Sequence, residues 1–247
     1  MTTTHFGNAT VDLADKPGLV QSLFSDVAGS YDLMNDVMSF GIHRLWKDAL
    51  IDWIKPRAGQ AFLDLAGGTG DVAFRISRQV KGQQASITVC DFTTAMLVEG
   101  EKRADKMANL GPMSWVTGDA MALPFADRSF DVITMAFGLR NVAVPADALK
   151  EIRRVLRPGG RFFCLEFSKV VLPILDQAYD AFSFQVIPLM GQVVANDRDS
   201  YQYLVESIRK FPDQETLESM YLDAGFDLAS HRNLTGGIAA IHRGVRL

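Results

Sequence analysis

Cysteine is scarce in this chain, and clustered positive charge is missing altogether. Cys90 and Cys164 are the only 2 cysteines among 247 residues. Each lies in an apolar, β-prone run with no Cys-x-x-Cys or histidine spacing around it. Both therefore read as buried residues of a reducing compartment, and neither a disulfide framework nor a metal site is expected. The 25 Lys+Arg against 29 Asp+Glu leave a net charge of −4. Without a basic stripe to neutralise phosphates, nucleic acid is not an expected partner. A membrane-spanning run is lacking too. The most apolar region, Ala181 to Asn196, carries 16 consecutive uncharged residues, where a span needs roughly 20, and Pro188 and Gly191 interrupt it. It reads as a face for lipid or a lipid-like substrate, or equally as an amphipathic or buried helix of the domain. Residues 1–16 have neither the basic start nor the apolar core of a signal peptide. They are expected to be flexible, and the chain to stay in the cytoplasm. Repeats and low-complexity stretches are absent, and the length suits one α/β domain covering 1–247.

What is present begins with Leu63-Asp64-Leu65-Ala66-Gly67-Gly68-Thr69-Gly70-Asp71, an apolar strand running into a glycine turn and then a helix. Three glycines in four positions let the backbone take positive φ and approach a ligand without a Cβ in the way. The helix from Asp71 would point its free N–H groups at that ligand. Asp91 ends the β-branched run Ile87-Thr88-Val89-Cys90, and an acidic side chain at the tip of a second strand is placed to take both hydroxyls of a ribose. This is a nucleotide-binding elbow. Gly68-x-Gly70-x-x-Ala73 also satisfies a loose dinucleotide pattern, so the elbow alone does not name the nucleoside.

Strand and helix signals alternate at 61–66, 71–80, 86–91, 93–107, 114–117, 131–136, 145–156 and 160–167, which predicts a parallel sheet with helices on both faces. Val155-Leu156-Arg157-Pro158-Gly159-Gly160-Arg161 reads as a helix end, a stop and a tight turn into Phe162-Phe163-Cys164-Leu165-Glu166. Ahead of the first of these strands, 17–55 reads as a lid of helices, with Leu45, Trp46, Ala49, Leu50 and Trp53 at helical spacing. After 160–167 come an apolar insertion at 170–195, helices near 200–210 and 213–223, and two strands forming an antiparallel edge hairpin.

Trp115-Val116-Thr117-Gly118-Asp119-Ala120, a third strand ending in an acidic loop, looks like the adenine-contacting strand of the class I methyltransferases. The likeness then narrows. Phe137-Gly138-Leu139-Arg140-Asn141-Val142, Leu165-Glu166-Phe167-Ser168, Tyr31-Asp32-Leu33-Met34-Asn35-Asp36 and Asn233-Leu234-Thr235-Gly236-Gly237-Ile238 resemble segments of the ubiquinone/menaquinone biosynthesis C-methyltransferases. The resemblance runs from about residue 24 to the C-terminus. It implies a Rossmann-like fold with a seven-stranded, mostly parallel sheet, S-adenosylmethionine as cofactor, and methyl transfer to a ring carbon of a polyprenylated benzoquinol or of demethylmenaquinol. Peripheral contact with a membrane or a quinone-biosynthesis complex is implied as well, and a homodimer is left open.

On that resemblance, Gly67, Gly68, Thr69 and Gly70 should line the methionine and ribose part of the cofactor. Asp91 should bind the ribose, and Asp119 with Ala120 the adenine. Arg140 should stabilise the quinolate, with Asn141 holding a ring oxygen or a water and Tyr31 reaching in from the lid. A water relayed between Asp91, Asn141 and Tyr31 is one candidate proton acceptor. Arg140 reads alternatively as a structural ion pair and Tyr31 as a packed helix residue. His43 invites a catalytic reading but reads better as a helix-surface or capping residue. Met34, Met38, Phe40, Phe182, Phe184, Ile187 and Met190 suit an apolar quinol pocket or an ordinary core. Where many family members have serine before Phe-Gly-Leu-Arg-Asn, this chain has Ala136, so a hydroxyl contact there is in doubt. Two rivals remain. A nicotinamide oxidoreductase would use the same elbow, although no Tyr-x-x-x-Lys pair accompanies it, and a non-catalytic lipid-binding subunit would keep the fold without the chemistry.

Overall fold

The computed structural model describes residues 3–27, 36, 39, 41–80, 85–171 and 198–247. Tyr31, the proposed pocket residues Met34, Met38, Phe40, Phe182, Phe184, Ile187 and Met190, and nearly all of the apolar insertion lie outside them.

The predicted alternation is present almost residue for residue. Strands β3 (Ala61–Leu65), β4 (Ser86–Asp91), β5 (Met113–Thr117), β6 (Phe130–Ala136) and β7 (Leu156–Phe167) run parallel to one another. Between them run helices α3 (Asp71–Gln79), α4 (Thr94–Asp105) and α5 (Pro145–Val155), with α2 (Ile42–Ile54) ahead of β3. After α6 (Arg198–Lys210) and α7 (Gln214–Asp223), strands β8 (Asp227–Leu234) and β9 (Ala239–Val245) form the expected antiparallel pair. The order β5-β4-β3-β6-β7-β9-β8 puts β9 inside the sheet and β8 at its edge. Winding reverses at β3, which pairs with both β4 and β6. A crevice must therefore open beyond its carboxyl end, and ligands of open α/β sheets bind in such a crevice.

Alternation along each strand sends neighbouring side chains to opposite faces. Phe62, Val89, Phe163 and Leu165 pack under α2 and α3 against Trp46, Leu50, Ile54 and Ile76. Leu63, Ile133, Phe162 and Cys164 pack under α5 and α7 against Leu149, Ile152, Leu217 and Tyr221. Both cysteines are buried and free, as expected, and burial pushes the Cys90 thiol up to about 12.

Two local readings change. The stop at Leu156 to Gly160 is already strand: Leu156 pairs with Phe130, and a register shift between Phe130 and Val132 absorbs Pro158 and the glycines. Residues 1–16, expected to be flexible, contain an antiparallel hairpin of β1 (Thr3–Phe6) and β2 (Ala9–Asp12), and helix α1 (Lys16–Val27) follows. Packing explains the hairpin, because the Phe6 ring stacks on Tyr203 of α6 with centroids 4.3 Å apart, and the Asn8 N–H donates to Glu206 at 2.8 Å. Among the described residues no helix is long and apolar enough to cross a membrane.

Candidate active site

Leaving β3 at Leu65, the chain turns through Gly67 to Gly70 and enters α3 at Asp71, the elbow expected from sequence. A Cβ at Gly67 would lie 2.7 Å from Val89 Cγ1 and 2.9 Å from the Asp64 carbonyl oxygen, so only glycine fits without movement. Gly70 caps α3 with φ 83°, a left-handed conformation that side chains resist. The N–H groups of α3 do not all face the cleft: Ala73 N–H donates to Asp64 Oδ2 at 3.1 Å, while Thr134 Oγ1 donates to Asp64 Oδ1 at 2.7 Å. Burial nonetheless pushes the Asp64 carboxyl up to about 7.

Asp91 stands at the tip of β4. Its Oδ2 accepts the Gly68 N–H at 2.9 Å and its Oδ1 the Thr93 N–H at 2.8 Å. Each carboxylate oxygen keeps a further lone pair, enough for two hydroxyls. Asp119 follows β5, and its Oδ1 accepts the Met121 N–H at 2.9 Å, which fixes the acidic loop.

Over these tips lies a cleft of about 790 Å³. Five predicted residues, Gly68, Asp91, Asp119, Ala120 and Asn141, line it, together with Met96, Phe137 and the α1 side chains Val20 and Phe24. A recess of about 380 Å³ adjoins it at Gly68 and is lined by Gly67, Thr69, Lys47, Asp64 and Asp71. Gly70 instead faces the Trp115 and Phe74 rings behind the turn.

Lys47 is a site residue that sequence reasoning missed. It is buried, and its Nζ donates to Asp71 Oδ2 at 2.7 Å. Burial works against ionisation of Asp71, but Lys47 and Arg75 outweigh it and hold that carboxyl below its ordinary value. An acidic tip for a ribose, an acidic loop beyond it and a charged recess beside the glycine turn fit a nucleoside carrying a zwitterionic amino-acid tail.

The Asp91 shift has a measurable consequence. Burial raises this carboxyl to about 6, and if Asp91 takes the ribose, only its ionised form can accept both hydroxyls. Cofactor affinity should then be full above that pH and fall as pH drops through it. Calorimetry with S-adenosylhomocysteine should show a dissociation constant about tenfold larger at pH 5 than at pH 7, matching the fraction left ionised. Equal affinities would remove Asp91 from the ribose position.

Arg140 departs from the expected role. It belongs to a short 3-10 turn, Leu139–Asn141, that follows β6, and its side chain is 4% exposed. Its Nη1 donates to Glu166 Oε2 at 2.9 Å and to the Phe137 carbonyl at 2.6 Å. It does not line the cofactor cleft. The geometry is that of the buried ion pair, the alternative weighed from sequence, so the charge is already balanced by Glu166. Asn141, one residue on, does face the cleft, and its Oδ1 accepts the Tyr203 hydroxyl at 3.0 Å. His43 is neither on the surface nor in the cleft. Its Nε2 lies 2.8 Å from Asp36 Oδ1, and its N–H is capped by Ser39 Oγ at 3.2 Å.

Sheet order, elbow and paired acidic tips define a methyltransferase of the class I type, with S-adenosylmethionine as methyl donor. Solved structures agree on the fold. A SAM-dependent methyltransferase from Aquifex aeolicus superposes with TM-score 0.58 at 15% identity, covering 81% of this chain and 89% of that one. A Haemonchus contortus phosphoethanolamine N-methyltransferase in complex with S-adenosyl-L-methionine gives 0.58 at 15% identity, covering 81% and 52%.

The chain belongs to the ubiE/COQ5 methyltransferase family, whose model matches residues 11–246. It is 61% identical over 244 residues to the ubiquinone/menaquinone biosynthesis C-methyltransferase UbiE of Paracoccus denitrificans, covering 99% of this chain and 97% of the relative. To the protein of the same name from Brucella canis it is 52% identical, covering 98% and 90%.

Proposed function

We propose that this methyltransferase alkylates a ring carbon of a prenylated benzoquinol or naphthoquinol, the reaction class named for its relatives. The observation that carries the reading is one cleft that joins Asp91, at the tip of β4, to an apolar wall of Val20, Phe24, Met135, Phe137 and Val142, with Asn141 in that wall. Bound S-adenosylmethionine supplies an electrophilic methyl group on a sulfonium. The chain's own residues must do the rest. A ring carbon becomes nucleophilic once its neighbouring hydroxyl, with a pKa of about 10 in water, loses its proton. Apolar walls orient the ring and exclude water that would solvate the oxyanion.

Asn141 is the group we assign to that oxyanion. Its carbonyl end is occupied by Tyr203, and its amino end has only a 3.4 Å contact with the Phe137 carbonyl, so the amide presents a donor to a ring oxygen. Arg140 acts one step back, anchoring the Phe137 carbonyl and the turn that carries Asn141. A prenyl tail places the acceptor in a bilayer, so the enzyme works against a membrane surface.

The test is incubation of purified protein with methyl-labelled S-adenosylmethionine and short-chain versions of both quinols under reducing conditions, with the label located by mass spectrometry. Label on a ring carbon of one acceptor names the pathway, and label on both means a shared enzyme. Transfer to neither, with cofactor still bound, overturns the reading.

A further inference from the structure

Beside the cofactor cleft, and sharing with it the wall formed by Val142 and Ala143, is a second cavity of about 540 Å³ beneath the β1–β2 hairpin. Its lining is basic: Lys16 and Lys210, with Arg140, already paired to Glu166, and with His5, Tyr203 and Ser207 between them and no carboxylate among the described lining residues. Lys16, the first residue of α1, is 6% exposed. Its Nζ donates to the Val142 carbonyl at 3.0 Å, and none of the ion pairs of the described residues involves it. Burial lowers its pKa. Arg140 adds a buried Nε with no hydrogen-bond partner.

A buried ammonium without a counter-ion is an expensive thing to fold around, because desolvation is not repaid by any charge of opposite sign. Lysines that only pack their stems carry the amine out to water. Lys16 does the reverse, directing its amine inward to a carbonyl. Lys210, exposed on α6, stands at the same cavity and adds a second full charge. Two ammonium groups on one small cavity, Lys16 and Lys210, match an anion of charge −2.

We propose that this cavity is a binding site for a phosphate-class anion, a phosphomonoester or diphosphate group, separate from the cofactor and acceptor site. Two sources share that chemistry, a soluble phosphate compound and an anionic phospholipid headgroup. The proposal does not depend on which quinol is methylated.

The experiment is calorimetric titration of the full chain, already saturated with S-adenosylhomocysteine, with inorganic pyrophosphate, followed by the same titration of Lys16→Met and Lys210→Gln. Saturable binding by the parent protein is expected. Loss of one charged donor should weaken it about tenfold to a hundredfold in each variant. Removing an uncompensated buried charge should also leave the melting temperature of Lys16→Met equal to or above that of the parent, the reverse of what a purely structural lysine would show. Competition by phosphatidylglycerol vesicles, but not by phosphatidylcholine vesicles, assigns the site to a lipid headgroup, and absence of competition assigns it to a soluble phosphate. No saturable pyrophosphate binding, or binding unaltered in both variants, overturns the proposal. Should Lys16→Met fail to fold, Lys210→Gln, at an exposed position, carries the same decision.

Discussion

Replacing Glu166 with alanine should lower the unfolding free energy by about 3–5 kcal/mol, because it strands a buried guanidinium without its counter-charge. Glu166 is 1% exposed on β7 and accepts four hydrogen bonds from three donors: Arg140 Nη1 on both oxygens, the Arg140 N–H and the Phe167 N–H. Alanine removes every acceptor and leaves the charge behind. For a chain of this size the melting temperature should fall by roughly 10 °C. Glu166→Gln keeps an acceptor oxygen and should fall between the two. If the charge pair is what matters, the double variant Glu166→Leu with Arg140→Met should be more stable than Glu166→Ala, since an apolar pair leaves nothing unpaired. Thermal unfolding of the four proteins measures this. A Glu166→Ala protein as stable as the parent would mean that Arg140 is not buried as described.

Substitution of Asp91 by alanine should weaken cofactor binding at least tenfold to a hundredfold, the equivalent of about 1.5–3 kcal/mol. Two losses combine. The carboxylate would no longer meet the ribose, and the Gly68 N–H that it holds at 2.9 Å would be released from the turn. The variant's residual affinity should also lose the decline expected in the parent between pH 7 and pH 5. Calorimetry at both pH values reads both effects, and unchanged binding would overturn the cofactor assignment. Melting in the absence of ligand separates this from unfolding.

Much of this is legible in the amino-acid sequence alone. Apolar alternation locates β3 to β7 because a strand buried on both faces leaves a continuous run such as Phe162-Phe163-Cys164-Leu165. Asp91 and Asp119 are legible because each ends such a run. What could not be read is pairing across distance. Arg140 looks like a free cation until β7 brings Glu166 beside it, and Lys47 looks like any polar residue of an amphipathic helix until α2 lies against α3 and meets Asp71. The β1–β2 hairpin did carry a local sign. Gly7-Asn8 between two β-prone stretches is a two-residue turn signal, and Gly7 adopts φ 57°. Four-residue strands with one apolar anchor each are too short to show periodicity, and Phe6 gains its partner only from α6.

The position of β9 bears on the order in which the molecule can assemble. Strand β7 has β6 on one side and β9 on the other, and the partner of Arg161 is Val245. During synthesis, β3 to β7 can pair as soon as they emerge, yet the far edge of β7 stays unsatisfied until the polypeptide through Val245 has been made. For that interval an apolar strand presents open backbone donors and acceptors, the template on which neighbouring chains aggregate. Slow closure of this last register, with its high sequence separation, would set the folding rate. A nascent chain stalled before β9 would therefore be a client for chaperones despite having every residue of the elbow in place.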